Sequence, residues 1–127
     1  MPPTSKELVQ QARQRITEIG PEGARQRLEA GGVALDVREG HELADGHIPD
    51  AVHIPRGSLE IAAEEHEALQ GRDTPICVYC QGGGRGALAA QSLQELGYTD
   101  VTSIEGGFQA WHKAGYPMQV PATDEEE

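Results

Sequence analysis

Short apolar runs alternate with helix-favouring segments along most of the chain, and this alternation predicts an α/β fold. The apolar runs are brief and rich in β-branched residues, as is typical of buried strands. Little polar character interrupts residues 33–37, which indicates burial on both faces, as in a parallel sheet with right-handed crossovers. The predicted strands cover residues 15–19, 33–37, 51–54, 74–80 and 100–104.

Helices are predicted between these strands from the helical spacing of apolar residues and from end signals. Thr4 or Ser5 is suited to cap the first helix, Pro21 to open the second and Ser58 to cap the fourth. Gly97 supplies a C-terminal stop. The predicted helices cover residues 5–13, 21–30, 41–45, 59–69, 87–96 and 108–114.

The chain is acidic: its 127 residues include 21 acids and 10 bases, for a formal net charge of −11. This charge argues against nucleic acid as a partner, because that affinity depends on phosphate neutralisation by a basic face. No apolar run approaches membrane-spanning length, and residues 1–7 lack a signal-peptide core. We therefore expect a cytoplasmic protein with no membrane partner. The acidic side chains of residues 118–127 repel one another and this segment has few apolar residues to bury, which predicts disorder.

The candidate chemistry centres on Cys80, which ends the fourth predicted strand and precedes three consecutive glycines and Arg85. Glycines allow positive φ angles and bring backbone N–H groups together without a Cβ atom between them. The following helix adds the positive end of its dipole. Amide hydrogen bonds, this dipole and Arg85 all favour the thiolate, which is the nucleophilic form of cysteine. The sequence predicts an anion site around a reactive thiol; the alternative is a buried cysteine followed by a simple turn.

Cys77 and Cys80 have the C-x-x-C spacing of redox and zinc motifs, but their placement on a strand argues against both. Strand side chains alternate between faces, so residues three apart point to opposite sides and lie about 10 Å apart. A disulfide requires Cβ atoms about 4 Å apart. No other cysteine completes a thiolate zinc site and the five histidines are scattered, so no metal site is predicted. Cys77 is expected to lie in the core.

Arginines also follow two other predicted strands. Arg38 comes after residues 33–37 and Arg56 after residues 51–54. Both are candidate substrate contacts, because the carboxyl ends of parallel strands gather at the edge where ligands bind. The alternatives are a local ion pair for Arg38 and an exposed charge for Arg56. Arg85 is expected either to stabilise negative charge directly or to pair with an acid. Basic groups that converge on Cys80 point to a small anion as substrate.

Four motifs, in order along the chain, give it a family resemblance. They are Leu35-Asp36-Val37-Arg38-Glu39, Gly46-His47-Ile48-Pro49-Asp50-Ala51, Cys80-Gln81-Gly82-Gly83-Gly84-Arg85 and Glu105-Gly106-Gly107-Phe108-Gln109-Ala110-Trp111. Over residues 16–117 the chain resembles a single-domain rhodanese, a sulfurtransferase. The resemblance implies a three-layer α/β sandwich with a central five-stranded parallel sheet flanked by helices. Residues 1–15 are then an N-terminal helical extension and residues 118–127 an acidic tail.

The resemblance also implies a site and a mechanism. Cys80 would carry a persulfide in a loop formed by Gln81, Gly82, Gly83, Gly84, Arg85 and Gly86. Family members often have polar side chains at the places of Gly82 and Gly84, so backbone amides are the main expected donors here. A small anionic donor such as thiosulfate would supply sulfur and a thiol or cyanide would accept it, without a cofactor. A sulfur-relay protein is a further candidate partner.

Two alternative functions stay open. A sulfur-carrier or protein-docking module with little thiosulfate turnover has the same fold. A cysteine phosphatase or arsenate reductase also combines a cysteine, an amide-lined loop and an arginine. Tyrosine-phosphatase-like loops place five residues between the cysteine and the arginine, whereas four residues separate Cys80 from Arg85. The smaller loop suits a sulfur atom better than a tetrahedral oxyanion.

Overall fold

A five-stranded parallel sheet forms the centre of the protein in a computed structural model that describes residues 1–121. The strands lie side by side in the order β1-β5-β4-β2-β3, and every neighbouring pair is parallel. Their bounds are Thr17–Ile19 for β1, Val33–Asp36 for β2, Val52–His53 for β3, Ile76–Tyr79 for β4 and Val101–Ile104 for β5. The predicted fold class is confirmed.

The apolar character of β4 follows from its place in the middle of this sheet. It pairs with β2 on one side and β5 on the other, and all four of its residues are buried. A strand covered on both faces has no position for an exposed polar side chain, which explains the unbroken run in the sequence. The residue that leaves β4, Cys80, therefore emerges from the core at the carboxyl edge of the sheet.

Helices cover both faces of the sheet. They are α1 at Ser5–Arg15, α2 at Pro21–Glu29, α3 at Leu59–Glu65, α4 at Gly84–Glu95 and α5 at Gly107–Lys113. Buried residues of α3 and α4, such as Ala63 and Leu93, join the core on one face. Ala24 of α2 and Trp111 of α5 join the core on the other. These helices and the sheet make three layers, and α1 packs outside them against α4.

The N-terminal helix has the predicted start and a longer body than predicted. Thr4 forms a capping box with Glu7, in which each side chain bonds to the other residue's backbone N–H. The helix continues through Arg15, two residues beyond the predicted end, and β1 starts later than predicted, at Thr17. Only Ala12 of α1 is buried. The helix α1 is therefore attached to the domain through a narrow face around Ala12.

The single helix predicted over residues 59–69 is wrong in its second half. The helix α3 ends at Glu65, and His66 takes an extended conformation before a separate 3-10 turn at Glu67–Leu69. The ring of His66 accepts the backbone N–H of Ala68 and so starts this turn. Leu69, at the end of this turn, is fully buried. The predicted cap, Ser58, makes no side-chain bond to the helix.

The end of the described chain runs back across the domain. The backbone of Gln119 exchanges two hydrogen bonds of 2.8 Å with His47, so this part of the predicted tail pairs with the body of the protein. The rest of that tail, residues 122–127, lies outside the described residues. No helix in residues 1–121 is long and apolar enough to cross a membrane.

Candidate functional site

Cys80 lies directly after β4, at the point where the strand meets the start of α4. Its side chain is on the α4 face of the sheet and only 1% of the residue is exposed. The backbone N–H of Gly83 donates to its Sγ atom, with the nitrogen 3.0 Å from the sulfur. A hydrogen bond from an amide to sulfur favours the anionic form of that sulfur. The structure thus places one amide of the predicted loop, that of Gly83, against the thiol, and the catalytic role of Cys80 stays a prediction.

The helix α4 begins three residues earlier than predicted, so the glycine-rich segment is part loop and part helix. Gln81, Gly82 and Gly83 form the turn, and Gly84, Arg85 and Gly86 are the first residues of α4. Gly83 caps the helix with φ of 112°, a conformation that L side chains rarely adopt. The first N–H groups of a helix lack intrahelical partners. The sulfur thus lies beside both a loop amide and the positive end of α4.

A second glycine turn holds this loop from the opposite side, and the sequence prediction gave it no role in the site. The backbone N–H of Phe108 donates to the carbonyl of Cys80 at 2.7 Å, and that of Gln109 donates to the carbonyl of Gln81 at 3.0 Å. Gly106 and Gly107 both have positive φ angles and bring α5 into this position. The signal was present in the sequence as the Glu105-Gly106-Gly107 motif. Its use became evident only from the contact between two distant loops.

Arg85 is paired with Glu42 in a two-pronged ion pair. Its Nη1 and Nη2 atoms lie 2.7 and 2.9 Å from the two carboxylate oxygens of Glu42, which belongs to a 3-10 segment at Gly40–Asp45. The hydrogen bonds from Arg85 lower the pKa of Glu42 to about 2, although burial opposes this shift. The same pair raises the pKa of Arg85 above its ordinary value. Arg85 thus pairs with an acid, but Glu42 lies in the 3-10 segment and not on a neighbouring helix, and no sequence signal identified it. Direct stabilisation of negative charge by Arg85 stays a prediction.

The Glu42 and Arg85 pair is expected to make stability depend on pH in the acid range. The carboxylate pKa is lower in the folded protein than its ordinary 4.5, so the stabilisation is complete above pH 4.5 and is lost as the pH falls towards 2. Glu42→Gln should cost no more than about 1 kcal/mol at pH 7, because Arg85 is partly exposed and solvent screens the pair. Urea unfolding at pH 7 and pH 3 measures this difference, which should shrink at pH 3. Arg85→Gln should show the same trend, and a difference that does not change with pH would contradict it.

Arg38 is almost completely buried and its guanidinium is fully engaged. It forms an ion pair with Asp36 at 2.9 Å, and both side chains are at most 2% exposed. Further donors reach the carbonyl oxygens of Glu42 and Gly46 and the side-chain oxygen of Gln81, 3.0 Å away. Arg38 therefore orients the first residue of the Cys80 loop. Its contact with substrate stays a prediction, and its present bonds match the local ion pair that was the alternative.

Arg56 is also in an ion pair, at the exit of β3. Its guanidinium lies 3.1 Å from a carboxylate oxygen of Glu60 and 2.9 Å from the hydroxyl of Ser92 on α4. The side chain is 28% exposed. Substrate contact by Arg56 likewise stays a prediction. In this arrangement the arginines that follow β2 and β3 are each matched by a carboxylate.

A cavity of about 220 Å³ opens beside the loop. Its lining includes Gln81 from the loop, Asp45 from the 3-10 segment, and Phe108, Gln109 and His112 from α5. The ring of His112 stacks on that of Phe108. The cavity offers space next to the loop for a molecule that approaches the carboxyl edge of the sheet.

Cys77 has no part in this site. It is fully buried on the opposite face of the sheet from Cys80, among the residues packed under α2 and α5, and both cysteines are free thiols. The geometric argument against a C-x-x-C disulfide is confirmed. The hydroxyl of Thr102 is 3.6 Å from its sulfur. Within residues 1–121, no group of three His, Cys, Asp or Glu side chains is arranged to hold a metal ion.

Comparison with known proteins shows what this architecture is similar to. Residues 20–114 match the model of the rhodanese-like domain. A protein of unknown function from Rhodopseudomonas palustris, designated a possible tyrosine phosphatase, is 33% identical, with a TM-score of 0.83 over 94% of this chain and 99% of that one.

Two further solved structures carry descriptions that concern sulfur or the family itself. A rhodanese-related protein from Thermoplasma volcanium is 32% identical, with a TM-score of 0.73 over 83% of this chain and 99% of that one. The polysulfide-sulfur transferase homodimer of Wolinella succinogenes is 28% identical, with a TM-score of 0.76 over 94% of this chain and 89% of the other.

Proposed function

The chain belongs to the rhodanese-like domain family, and from this premise we propose that it is a sulfurtransferase in which Cys80 accepts a sulfur atom and passes it on. The observation that supports this most directly is the Gly83 N–H that donates to the Cys80 sulfur at the N-terminus of α4. This arrangement stabilises negative charge on sulfur, both in the attacking thiolate and in a persulfide. The similarity to a polysulfide-sulfur transferase also supports it.

The first half-reaction takes sulfur from a donor such as thiosulfate. The Cys80 thiolate attacks the outer sulfur of thiosulfate, a new S–S bond forms, and the S–S bond of the donor breaks. Sulfite leaves with the electron pair of the broken bond. The terminal sulfur on Cys80 then carries the negative charge, close to the Gly83 amide that already donates to the thiol.

The second half-reaction returns the enzyme to its starting state. A nucleophile such as cyanide or a thiolate attacks the terminal sulfur, and the Cys80 thiolate leaves with the electron pair of the persulfide bond. No histidine base is needed in either step when the cysteine and the acceptor react as anions. Two half-reactions through a covalent intermediate predict ping-pong kinetics.

Intact mass spectrometry after incubation with thiosulfate tests this function. We expect wild type to gain one sulfur atom and Cys80→Ser to gain none, because Cys80 is the cysteine whose sulfur accepts the Gly83 amide. Cys77→Ser is the matched control, since that thiol is buried on the other face of the sheet. It should gain one sulfur atom as wild type does. Absence of added sulfur on every variant would overturn thiosulfate as the donor.

The alternative functions give different results with the same proteins. A sulfur-carrier module should accept sulfur from a protein persulfide or polysulfide but form little thiocyanate from thiosulfate and cyanide. A phosphatase, the designation of the Rhodopseudomonas palustris protein, should hydrolyse an aryl phosphate in a Cys80-dependent manner. Four residues separate Cys80 from Arg85, and Arg85 is held by Glu42, so the geometry favours sulfur transfer.

A further inference from the structure

The N-terminal helix contacts the Cys80 loop from outside the part of the chain that matches the family model. That match begins at residue 20, whereas α1 ends at Arg15. A Cβ atom at Gly83 would lie 3.4 Å from Nη2 of Arg13, and one at Gly84 would lie 3.8 Å from Cγ2 of Val9. The guanidinium of Arg13 therefore lies directly against the glycine whose amide donates to the sulfur.

This contact brings a positive charge close to Cys80. The nitrogen of Gly83 is 3.0 Å from the sulfur of Cys80. Two bonds of about 1.5 Å each lead from that nitrogen through Cα to the Cβ position of residue 83. This Cβ position is the one that lies 3.4 Å from Nη2 of Arg13. The guanidinium is thus less than about 10 Å from the sulfur atom, which is near the Debye length of about 8–10 Å at ordinary ionic strength. At this distance the electric field of the guanidinium reaches the sulfur.

The other charged groups around the loop come largely in balanced pairs. Arg85 is bound through both Nη atoms by Glu42, and Arg38 is bound by Asp36. Glu105 is a further acid in the segment that contacts the loop, since the next residue, Gly106, lies against Gly83. These groups leave little net positive charge to stabilise a sulfur anion.

Arg13 is more weakly neutralised than the other two arginines. Its Nε atom lies 3.3 Å from Oε2 of Glu18 on β1, at a longer distance than the contacts of Arg85 or Arg38. Within residues 1–121, neither of its Nη atoms donates a hydrogen bond. The side chain is 40% exposed, so its field also extends into the solvent from which substrate arrives.

We propose that Arg13 is a positioning residue of the sulfur site, which favours anionic sulfur on Cys80 and attracts anionic donors through its place against Gly83. The proposal rests on the proposed sulfurtransferase function for its kinetic consequence. Its effect on the thiol itself does not depend on that function. Arg13 would act through the loop and through space, without a bond to the reacting atoms.

The pH dependence of Cys80 alkylation by iodoacetamide tests the electrostatic part of the proposal, whatever the reaction of the protein is. All variants are made with Cys77→Ser, so that Cys80 is the only thiol. Arg13→Gln should move the midpoint of alkylation upward by about half a pH unit at low salt, as expected for a unit charge at this distance in a mostly aqueous dielectric. Arg13→Lys should recover most of the change.

Two further variants distinguish charge from a structural effect. Glu18→Gln removes the partner of Arg13 and should move the midpoint in the opposite direction, which loss of packing would not do. Arg15→Gln lies on the same helix and removes the same charge without the contact to Gly83, so it should leave the midpoint close to that of the parent. If Arg13→Gln and Arg15→Gln give the same midpoint, the proposal is overturned.

Turnover of thiosulfate and cyanide provides the kinetic test. Arg13→Gln should raise KM for thiosulfate about threefold at low salt, and the difference from wild type should shrink in 1 M salt because exposed charges are screened. A fall in turnover that does not change with salt would contradict electrostatic attraction of the donor. If wild type shows no turnover, thiosulfate fails as the donor in the proposed function, and the alkylation midpoints still decide the role of Arg13.

Discussion

Replacement of Arg38 by methionine is expected to lower the free energy of unfolding by about 3–5 kcal/mol, because it leaves the buried charge of Asp36 without a partner. The Asp36 side chain is 0% exposed, so water cannot replace the lost hydrogen bonds. Burial opposes the charge of Arg38, but bonds to Asp36 and the attraction of its carboxylate raise the pKa of Arg38 overall. Arg38 therefore stays charged at neutral pH, and urea unfolding at pH 7 measures the loss of its pairing with Asp36.

Arg25→Met is the matched control for this variant. Arg25 also forms an ion pair, with Glu29, but both side chains are largely exposed at 44% and 67%. Exposed pairs of this kind contribute about 1 kcal/mol or less. A loss for Arg38→Met as small as that for Arg25→Met would show that the buried pair is not needed for stability. Because Arg38 also holds Gln81, sulfur loading on the folded fraction should fall as well.

Replacement of Gly107 by alanine is expected both to destabilise the protein and to displace the Cys80 loop. Gly107 has φ of 58°, and a Cβ atom there would collide with the carbonyl oxygen of Cys80 and lie 2.7 Å from that of Gln81. Left-handed backbone strain and overpacking together should cost about 2–4 kcal/mol. Since the carbonyls that must move belong to the loop, sulfur loading should slow by at least about tenfold.

Gly115→Ala separates the two causes of this effect. Gly115 also has a positive φ, of 81°, but no atom lies within 4 Å of the position of its Cβ. This variant should lose about 1 kcal/mol from backbone strain and retain the loading rate of wild type. The measurements are urea unfolding and time-resolved intact mass after addition of thiosulfate. A Gly107→Ala protein that loads sulfur as fast as Gly115→Ala would contradict the role of this turn.

The charge distribution bears on how an acidic protein would take the anionic donor that we propose. The net charge of −11 opposes the approach of an anion, and the arginines after β2 and β3 are matched by Asp36 and Glu60. What remains to favour negative charge on Cys80 is the Gly83 amide, the N-terminus of α4 and, by our proposal, Arg13. The site therefore depends on backbone geometry more than on the count of basic residues.

The sequence by itself determined the sheet and the place of the thiol within it. Buried parallel strands need apolar residues on both faces, so β4 was visible as an uninterrupted apolar run and β2 as an apolar run that ends at Asp36. The position of Cys80 at the end of β4 was predicted from the length of the apolar run and the glycines after it. Its placement on the opposite face from Cys77 was predicted from the alternation of strand side chains. These features depend on the periodicity of apolar residues and on the conformational freedom of glycine. Both can be read from residues that are neighbours in the sequence.

Only the tertiary structure decided which distant groups complete the site. Glu42 reaches Arg85 across 43 residues, and the Gly106–Gly107 turn fixes the carbonyl of Cys80, yet no local pattern identifies either partner. The early start of α4 at Gly84 also depends on packing, because glycine has low helix preference and tertiary contacts determine its state. Arg13 joins the site for the same reason: α1 packs on α4, and side-chain charge acts through space.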